Sequence, residues 1–179
     1  MKGLIIYKGK YGATDQYASW LSKALNLPAV LPEQLSSGQF SQTELLVMGT
    51  SVYIGKFQIR DWLQQNISLI RDKKLFLFVV SGTPVEEKEK LESFVVANVP
   101  AEIRRNTEIF FLPRKLTYAN LSWLDKILLR MGAMFTKDGT QRKRMLTDYN
   151  EVNQLHLMPL IQSITHYTHT NTANCQYTH

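Results

Sequence analysis

Leu75-Phe76-Leu77-Phe78-Val79-Val80 is apolar at every position. A strand with one face in water alternates apolar and polar residues. An unbroken apolar strand is covered on both faces, as central strands are in parallel sheets packed between helices. The run is also the longest of its kind in the chain, far short of the ~20 residues that a membrane-spanning helix needs. Upstream, Leu45-Leu46-Val47-Met48-Gly49 and Gly3 to Tyr7 read as further buried strands, and Ala29-Val30-Leu31 as a short, weak one. Downstream, Ile109-Phe110-Phe111-Leu112 reads as the last.

Helices fall between them. Tyr17, Ala18, Leu21, Ala24 and Leu25 make one apolar face after Thr14, and Pro28 ends that helix. Ile59, Trp62, Leu63 and Ile67 suggest a second helix. Glu86 to Val99 has an acidic first turn suited to the helix dipole. Leu121 to Phe135 carries Leu121, Leu124, Leu128, Met131 and Phe135 on one side, a stripe read more readily as core than as membrane contact. Asp148 to Thr165 is the expected closing helix, interrupted by Pro159. Strands alternating with helices predict an α/β, doubly wound parallel sheet. Residues 1–165 are expected to form the domain. Residues 166–179, rich in Thr, Asn and His, are expected to form a polar, disordered tail.

The chain has 179 residues, 44% hydrophobic and 20% charged, which fits one domain. Met1-Lys2-Gly3-Leu4-Ile5-Ile6-Tyr7 reads as a strand rather than a secretory peptide, and a cytoplasmic protein is the default. The single cysteine, Cys175, excludes an internal disulfide framework and a multi-thiolate zinc site. His166, His169, Cys175 and His179 share the polar tail without a scaffold, and no metal site is expected there. Ser81-Gly82-Thr83 lacks the Gly-x-Ser-x-Gly context of a hydrolase nucleophile, and His156 reads as structural.

The net charge of +6 is unevenly spread. Between Arg104 and Arg144 ten basic residues oppose only Glu108, Asp125 and Asp138, a net of +7, so the rest of the chain is close to neutral. Such a segment suits an anionic membrane surface or an acidic partner, or is simply a solvated basic face. No nucleic-acid motif accompanies it, and nucleic-acid binding is not expected.

In a doubly wound sheet the ligand sits beyond the carboxyl ends of the strands. The loops at 8–14, 50–56, 81–84 and 113–118 leave those ends. The first, Lys8-Gly9-Lys10-Tyr11-Gly12-Ala13-Thr14, runs into a helix N-terminus, where free amides and the dipole favour an anion. It matches neither Gly-x-Gly-x-x-Gly nor a P-loop. By spacing alone it is either a phosphate loop or an ordinary strand-to-helix turn.

Tyr7-Lys8-Gly9-Lys10-Tyr11-Gly12-Ala13-Thr14-Asp15-Gln16-Tyr17-Ala18-Ser19-Trp20 resembles the phosphate loop and first helix of the flavodoxin family. More narrowly, it resembles the flavodoxin-domain proteins related to menaquinone-dependent protoporphyrinogen dehydrogenase. Val47-Met48-Gly49-Thr50-Ser51-Val52-Tyr53-Ile54-Gly55-Lys56 is similar to that family's flavin-edge loop. Leu116-Thr117-Tyr118-Ala119-Asn120-Leu121-Ser122-Trp123-Leu124-Asp125-Lys126 and Thr147-Asp148-Tyr149 carry the remaining likeness, and order and spacing agree from residue 1 to about 162. Gly9 stands where the family usually has Ser or Thr, and Arg114 where relatives often have Gly.

The resemblance implies a five-stranded flavodoxin-like sheet of order 2-1-3-4-5 and an FMN at its carboxyl edge. It implies that Gly9, Lys10, Tyr11, Gly12, Ala13 and Thr14 wrap the phosphate. Thr50, Ser51, Val52, Tyr53, Ile54 and Gly55 would line one side of the ring, and Ser81, Gly82 and Thr83 another. Arg114 and Tyr118 would approach from the last strand. Tyr53, then Tyr118, are the stacking candidates, each equally readable as a rim tyrosine. No catalytic acid or base is implied. The implied activity is oxidation of protoporphyrinogen in heme biosynthesis, with electrons passing to a quinone at the inner face of a membrane. The alternatives are a soluble electron carrier serving a partner protein, and a flavodoxin-fold module without FMN. Familiar flavodoxin carriers are acidic, whereas this chain is basic.

Overall fold

A computed structural model describes residues 2–36, 38, 40, 42–136 and 139–176. Five strands, β1 (Gly3–Lys8), β2 (Ala29–Val30), β3 (Leu45–Tyr53), β4 (Lys74–Ser81) and β5 (Thr107–Pro113), pair in parallel in the order 2-1-3-4-5. The expected fold class is therefore the observed one. The helices are α1 (Ala13–Leu25), α2 (Arg60–Gln65), α3 (Ile67–Ile70), α4 (Lys88–Asn98), α5 (Ala101–Arg104), α6 (Trp123–Phe135), α7 (Gly139–Leu146) and α8 (Met158–Gln176).

The two-residue period of the strands sorts their side chains onto two apolar layers. Leu75, Leu77 and Val79 of β4 join Leu46, Met48, Ile59, Leu63, Val95 and Ile103 on one face. Phe76, Phe78 and Val80 join Val47, Tyr17, Leu21, Leu160 and Ile164 on the other. All six residues of the β4 run are at most 1% exposed. Burial of each side chain contributes about 1.5–3 kcal/mol, which makes the strand the centre of both layers.

The chain divides into two compact units, one comprising residues 1–113 and 152–179, the other residues 114–151. The second unit has its own ties. Lys115–Leu116 pairs antiparallel with Tyr149–Asn150. Ser122 caps α6, its hydroxyl accepting from the Asp125 amide at 3.2 Å. Thr136 Oγ1 donates to Met145 Sδ at 3.9 Å, so the C-terminal end of α6 meets α7.

Several boundaries differ from expectation. The segment expected as a loop from Thr50 to Lys56 is a hairpin: β3 continues to Tyr53, and Val52 and Tyr53 pair with Phe57 and Lys56 of a short antiparallel strand. The helix expected across Ile59–Ile67 breaks at Asn66, whose side-chain amide donates to the Trp62 carbonyl at 2.8 Å. The closing helix does not begin at Asp148. Tyr149–Asn150 is a strand, and α8 starts at Met158 with Pro159 in its first turn, where a missing N–H costs nothing. Nor does α8 stop at Thr165. It takes in residues set apart as a tail, because that segment holds one apolar anchor, Tyr167, whose ring lies 6.2 Å from that of Phe76.

The stripe on α6 is not core. Leu124, Leu128, Met131 and Phe135 are exposed, and of that set only Leu121, just before the helix, is buried. The basic segment is divided as well. Arg104 and Arg105 belong to the first unit, and the rest from Arg114 onward to the second. Lys137, Asp138 and His179 lie outside the described residues.

Candidate functional site

The ladders put the carboxyl ends of the strands in line. Lys8 pairs with Thr50, Ser51 with Val80, and Ser81 with Pro113. Three of the four expected loops thus leave one edge of the first unit.

The first loop is folded down on α1. Gly12 adopts φ 77° at the helix N-cap, and the Gln16 amide closes the first turn on its carbonyl at 3.1 Å. A Cβ at Gly9 would lie 2.5 Å from both Cβ and Oγ1 of Thr14. Only glycine allows this approach, which gives a steric reason for Gly9 where Ser or Thr was the family expectation. Thr14 is 1% exposed, and its hydroxyl has no hydrogen-bond partner. A buried polar atom without a partner is uncommon and costs desolvation energy, so it marks a place that something else can complete. Ala13 is buried beside it. Lys10 reaches out of the loop, its Nζ 3.3 Å from the centroid of the Tyr53 ring and 5.4 Å from that of Tyr11.

The second loop is the hairpin. Ile54 and Gly55 take φ 50° and 71°, the left-handed pair of a tight two-residue turn. For β-branched Ile54 this conformation is strained, and the side chain is exposed. Thr50 pairs with Lys8 at the end of that ladder. It is fully buried, donates to the Ser51 carbonyl at 3.3 Å and accepts from the Ile59 amide at 3.3 Å, tying the strand end to the segment before α2. Ser51 Oγ is a second buried hydroxyl without a partner. Val52 packs its side chain on the core layer of Leu75 and Val79. In the third loop the Ser81 hydroxyl accepts from the Thr83 amide at 3.0 Å, making a compact turn around half-buried Gly82.

Arg114 and Tyr118 belong to the second unit. Arg114 Nε donates to the Tyr149 hydroxyl at 2.7 Å, Arg130 Nε to the Tyr118 hydroxyl at 3.1 Å, and the Tyr118 amide to Asp148 Oδ1 at 2.7 Å. Sequence reasoning missed Asn98 altogether. Buried on α4, it accepts from the Phe57 amide at 3.0 Å and donates to the Gly55 and Phe94 carbonyls at 2.8 Å each, pinning the hairpin from both sides. The signal was available: Leu91, Val95 and Asn98 share one helix face, and a polar residue in that register calls for partners.

The sequence matches the flavodoxin domain over residues 4–143. The chain belongs to the flavodoxin-domain family. Solved structures with similarity to it include a flavodoxin from the Archaea, 12% identical, covering 82% of this chain and 94% of its own with a TM-score of 0.43. Oxidised flavodoxin 2 from Bacillus cereus is 14% identical, covering 82% and 93% with a TM-score of 0.42. A flavoprotein from Lactobacillus acidophilus in complex with FMN is 15% identical, covering 63% and 92% with a TM-score of 0.43. No curated protein matches the sequence.

The site of this flavodoxin-domain chain has the chemistry an FMN needs. Amides at the start of α1 and the unpartnered Thr14 hydroxyl suit a phosphate monoester, and Lys10 can supply charge. Tyr53 offers an aromatic face at the rim of the same edge. A flavin ring stacked on that face would have to displace the Lys10 ammonium. Among the described residues no helix is long and apolar enough to cross a membrane.

Proposed function

We propose that this chain is an FMN-binding redox protein of the flavodoxin type. The observation that carries the reading is the buried, unpartnered Thr14 hydroxyl beneath the glycine-bearing loop at the N-terminus of α1. FMN, when bound, supplies the electron chemistry. The protein's part is to hold the phosphate at residues 9–14, to present Tyr53 on the Asn98-pinned hairpin, and to let Lys10 exchange the tyrosine face for the phosphate. A terminal monophosphate suits this loop better than a dinucleotide, since neither the three-glycine pattern nor the ribose-binding acid of a dinucleotide fold is present.

The finer reading is an oxidoreductase of the protoporphyrinogen dehydrogenase type, in heme biosynthesis, with a quinone as acceptor and a peripheral place at the inner face of a membrane. It rests on the motifs at 116–126 and 147–149. Protoporphyrinogen oxidation by the FMN-loaded protein with a quinone acceptor, absent without the quinone, is its expected behaviour. Electron delivery to a partner protein alone would overturn it.

One observation favours a rival, a flavodoxin-fold module without flavin: Lys10 already covers Tyr53. The absorbance spectrum of the purified protein, followed by FMN titration, decides. A flavin band or saturable FMN uptake is expected. Absence of both, or tighter binding of FAD than of FMN, overturns the proposal.

A further inference from the structure

Helix α6 faces the wrong way for a core helix. Its buried residues are Asp125 and Ala133, with Leu129 and Gly132 half-buried beside them. Leu124, Ile127, Leu128, Met131, Met134 and Phe135 are exposed, Phe135 at 82%. At about 100° per residue these six project within about a third of the helix circumference. Lys126, Arg130 and Trp123 flank that stripe on one side, and Trp123 is 69% exposed. The helix's only acid, Asp125, is on the buried side. Arg142 and Lys143 of α7 are exposed as well.

An exposed apolar stripe of this extent marks an interaction surface. Two properties select its occupant. Trp and Phe at the two ends of an apolar stripe with lysine and arginine alongside form the pattern of a helix that lies in a membrane interface. The unit 114–151 also carries eight basic and four acidic residues, so a second copy would bring like charge to like charge. At thirteen residues α6 is too short to span a bilayer. We infer that α6 lies flat on an anionic lipid bilayer, with Trp123, Leu124, Ile127, Leu128, Met131 and Phe135 at the acyl boundary and the cations against the headgroups. The inference deepens the membrane placement in the proposed function by naming the surface on the second unit, and its test does not depend on FMN binding.

The test uses the full-length protein with vesicles of phosphatidylcholine mixed with phosphatidylglycerol, and with pure phosphatidylcholine vesicles. Cosedimentation with the anionic vesicles is expected at roughly 0.05 M salt and its loss toward roughly 1 M, as the screening length shortens. Emission of Trp123 should shift to the blue on binding. Trp123→Phe should remove most of that shift and leave most of the binding. The paired exchange Met134→Ser with Phe135→Ser alters only exposed side chains, so the fold should persist by circular dichroism while partitioning falls about tenfold or more. Arg142→Glu with Lys143→Glu should lower anionic-vesicle binding by about tenfold and flatten its salt dependence. Preparations with and without added FMN should bind alike, so a failed flavin titration leaves this measurement interpretable. No cosedimentation with anionic vesicles at low salt overturns the inference. So does equal binding to neutral vesicles that is insensitive to Arg142 and Lys143. A concentration-dependent dimer dispersed by Phe135→Ser, without vesicle binding, overturns it in favour of a second copy.

Discussion

Thr14 and Lys10 are where single side chains decide the flavin question. An unpartnered buried hydroxyl costs the folded protein its desolvation, so Thr14→Val, equal in shape, should leave the melting temperature unchanged or slightly higher. The same change should weaken FMN by about tenfold or more, the ~1.5–3 kcal/mol of a hydrogen bond to a charged oxygen. Calorimetric titration of FMN into Thr14→Val checks this, and an unchanged affinity places the phosphate elsewhere. Lys10 lies on the Tyr53 face, a contact of about 0.5–2 kcal/mol. Lys10→Met should bind riboflavin more tightly, because the ring face is uncovered, and FMN more weakly, because a charge near the phosphate is lost. Titrations with the two ligands should therefore move in opposite directions. A parallel fall in both would show that Lys10 does not compete for the ring.

Elements carry the next level of control, through polar anchors that hydrophobic patterning does not disclose. Asn98→Ala leaves the Phe57 amide and the Gly55 carbonyl without their buried partner, at about 1–3 kcal/mol. The expected result is faster hydrogen exchange at Phe57 and weaker FMN binding, measured together. A globally lower melting point with unchanged exchange at the hairpin would contradict it. Glu108, at the start of β5, joins Lys74 of β4 to Ser163 of α8. Burial pushes its carboxyl up, but the hydrogen bonds from Lys74 and Ser163, with the charges of Lys74 and His166, outweigh this and hold it below the usual range. A carboxyl depressed in the folded state stabilises above its unfolded pKa of about 4.3, and that contribution is lost as pH falls through the folded value. Wild type should therefore exceed Glu108→Gln in stability at neutral pH, by at most about 1 kcal/mol for so exposed a pair. The melting curves of the two should draw together as pH falls below the unfolded value and converge once it has passed through the lower folded one. The strand order came only from the family resemblance, but the α/β class and the buried strands were legible in the sequence because an unbroken apolar run such as 75–80 marks a strand covered on both faces. The hairpin at Tyr53–Lys56 was not, since its turn uses Ile54-Gly55 rather than Asn-Gly and is held by Asn98 more than forty residues away. The α6 stripe was visible, but its direction was not, because an amphipathic pattern does not say whether its apolar side meets protein or something else.

At the scale of the whole molecule, the second unit is inserted into the first at one place, and its entry and exit strands lie side by side. Leu116 pairs with Tyr149, Lys115 with Asn150, and the Glu151 amide donates to the Arg114 carbonyl at 3.4 Å. A short Gly-Ser link can therefore replace residues 115–150 without stretching the chain on either side. The first unit keeps all five parallel strands and both apolar layers, as well as the loops at 9–14, 50–55 and 81–83. The excised protein should accordingly fold cooperatively, with an α/β circular dichroism spectrum and a single thermal transition. It should bind FMN within about tenfold of the full chain, since the residues proposed to hold the phosphate, 9–14, all lie in the first unit. It should lose binding to anionic vesicles entirely, because α6 and its cations are gone. Retained folding with FMN affinity lost by far more than tenfold would show that Arg114–Tyr118 is an essential wall of the flavin site, as the motif resemblance implies. Retained vesicle binding would move the membrane surface to the first unit, where Arg104 and Arg105 are the remaining cations of the basic segment.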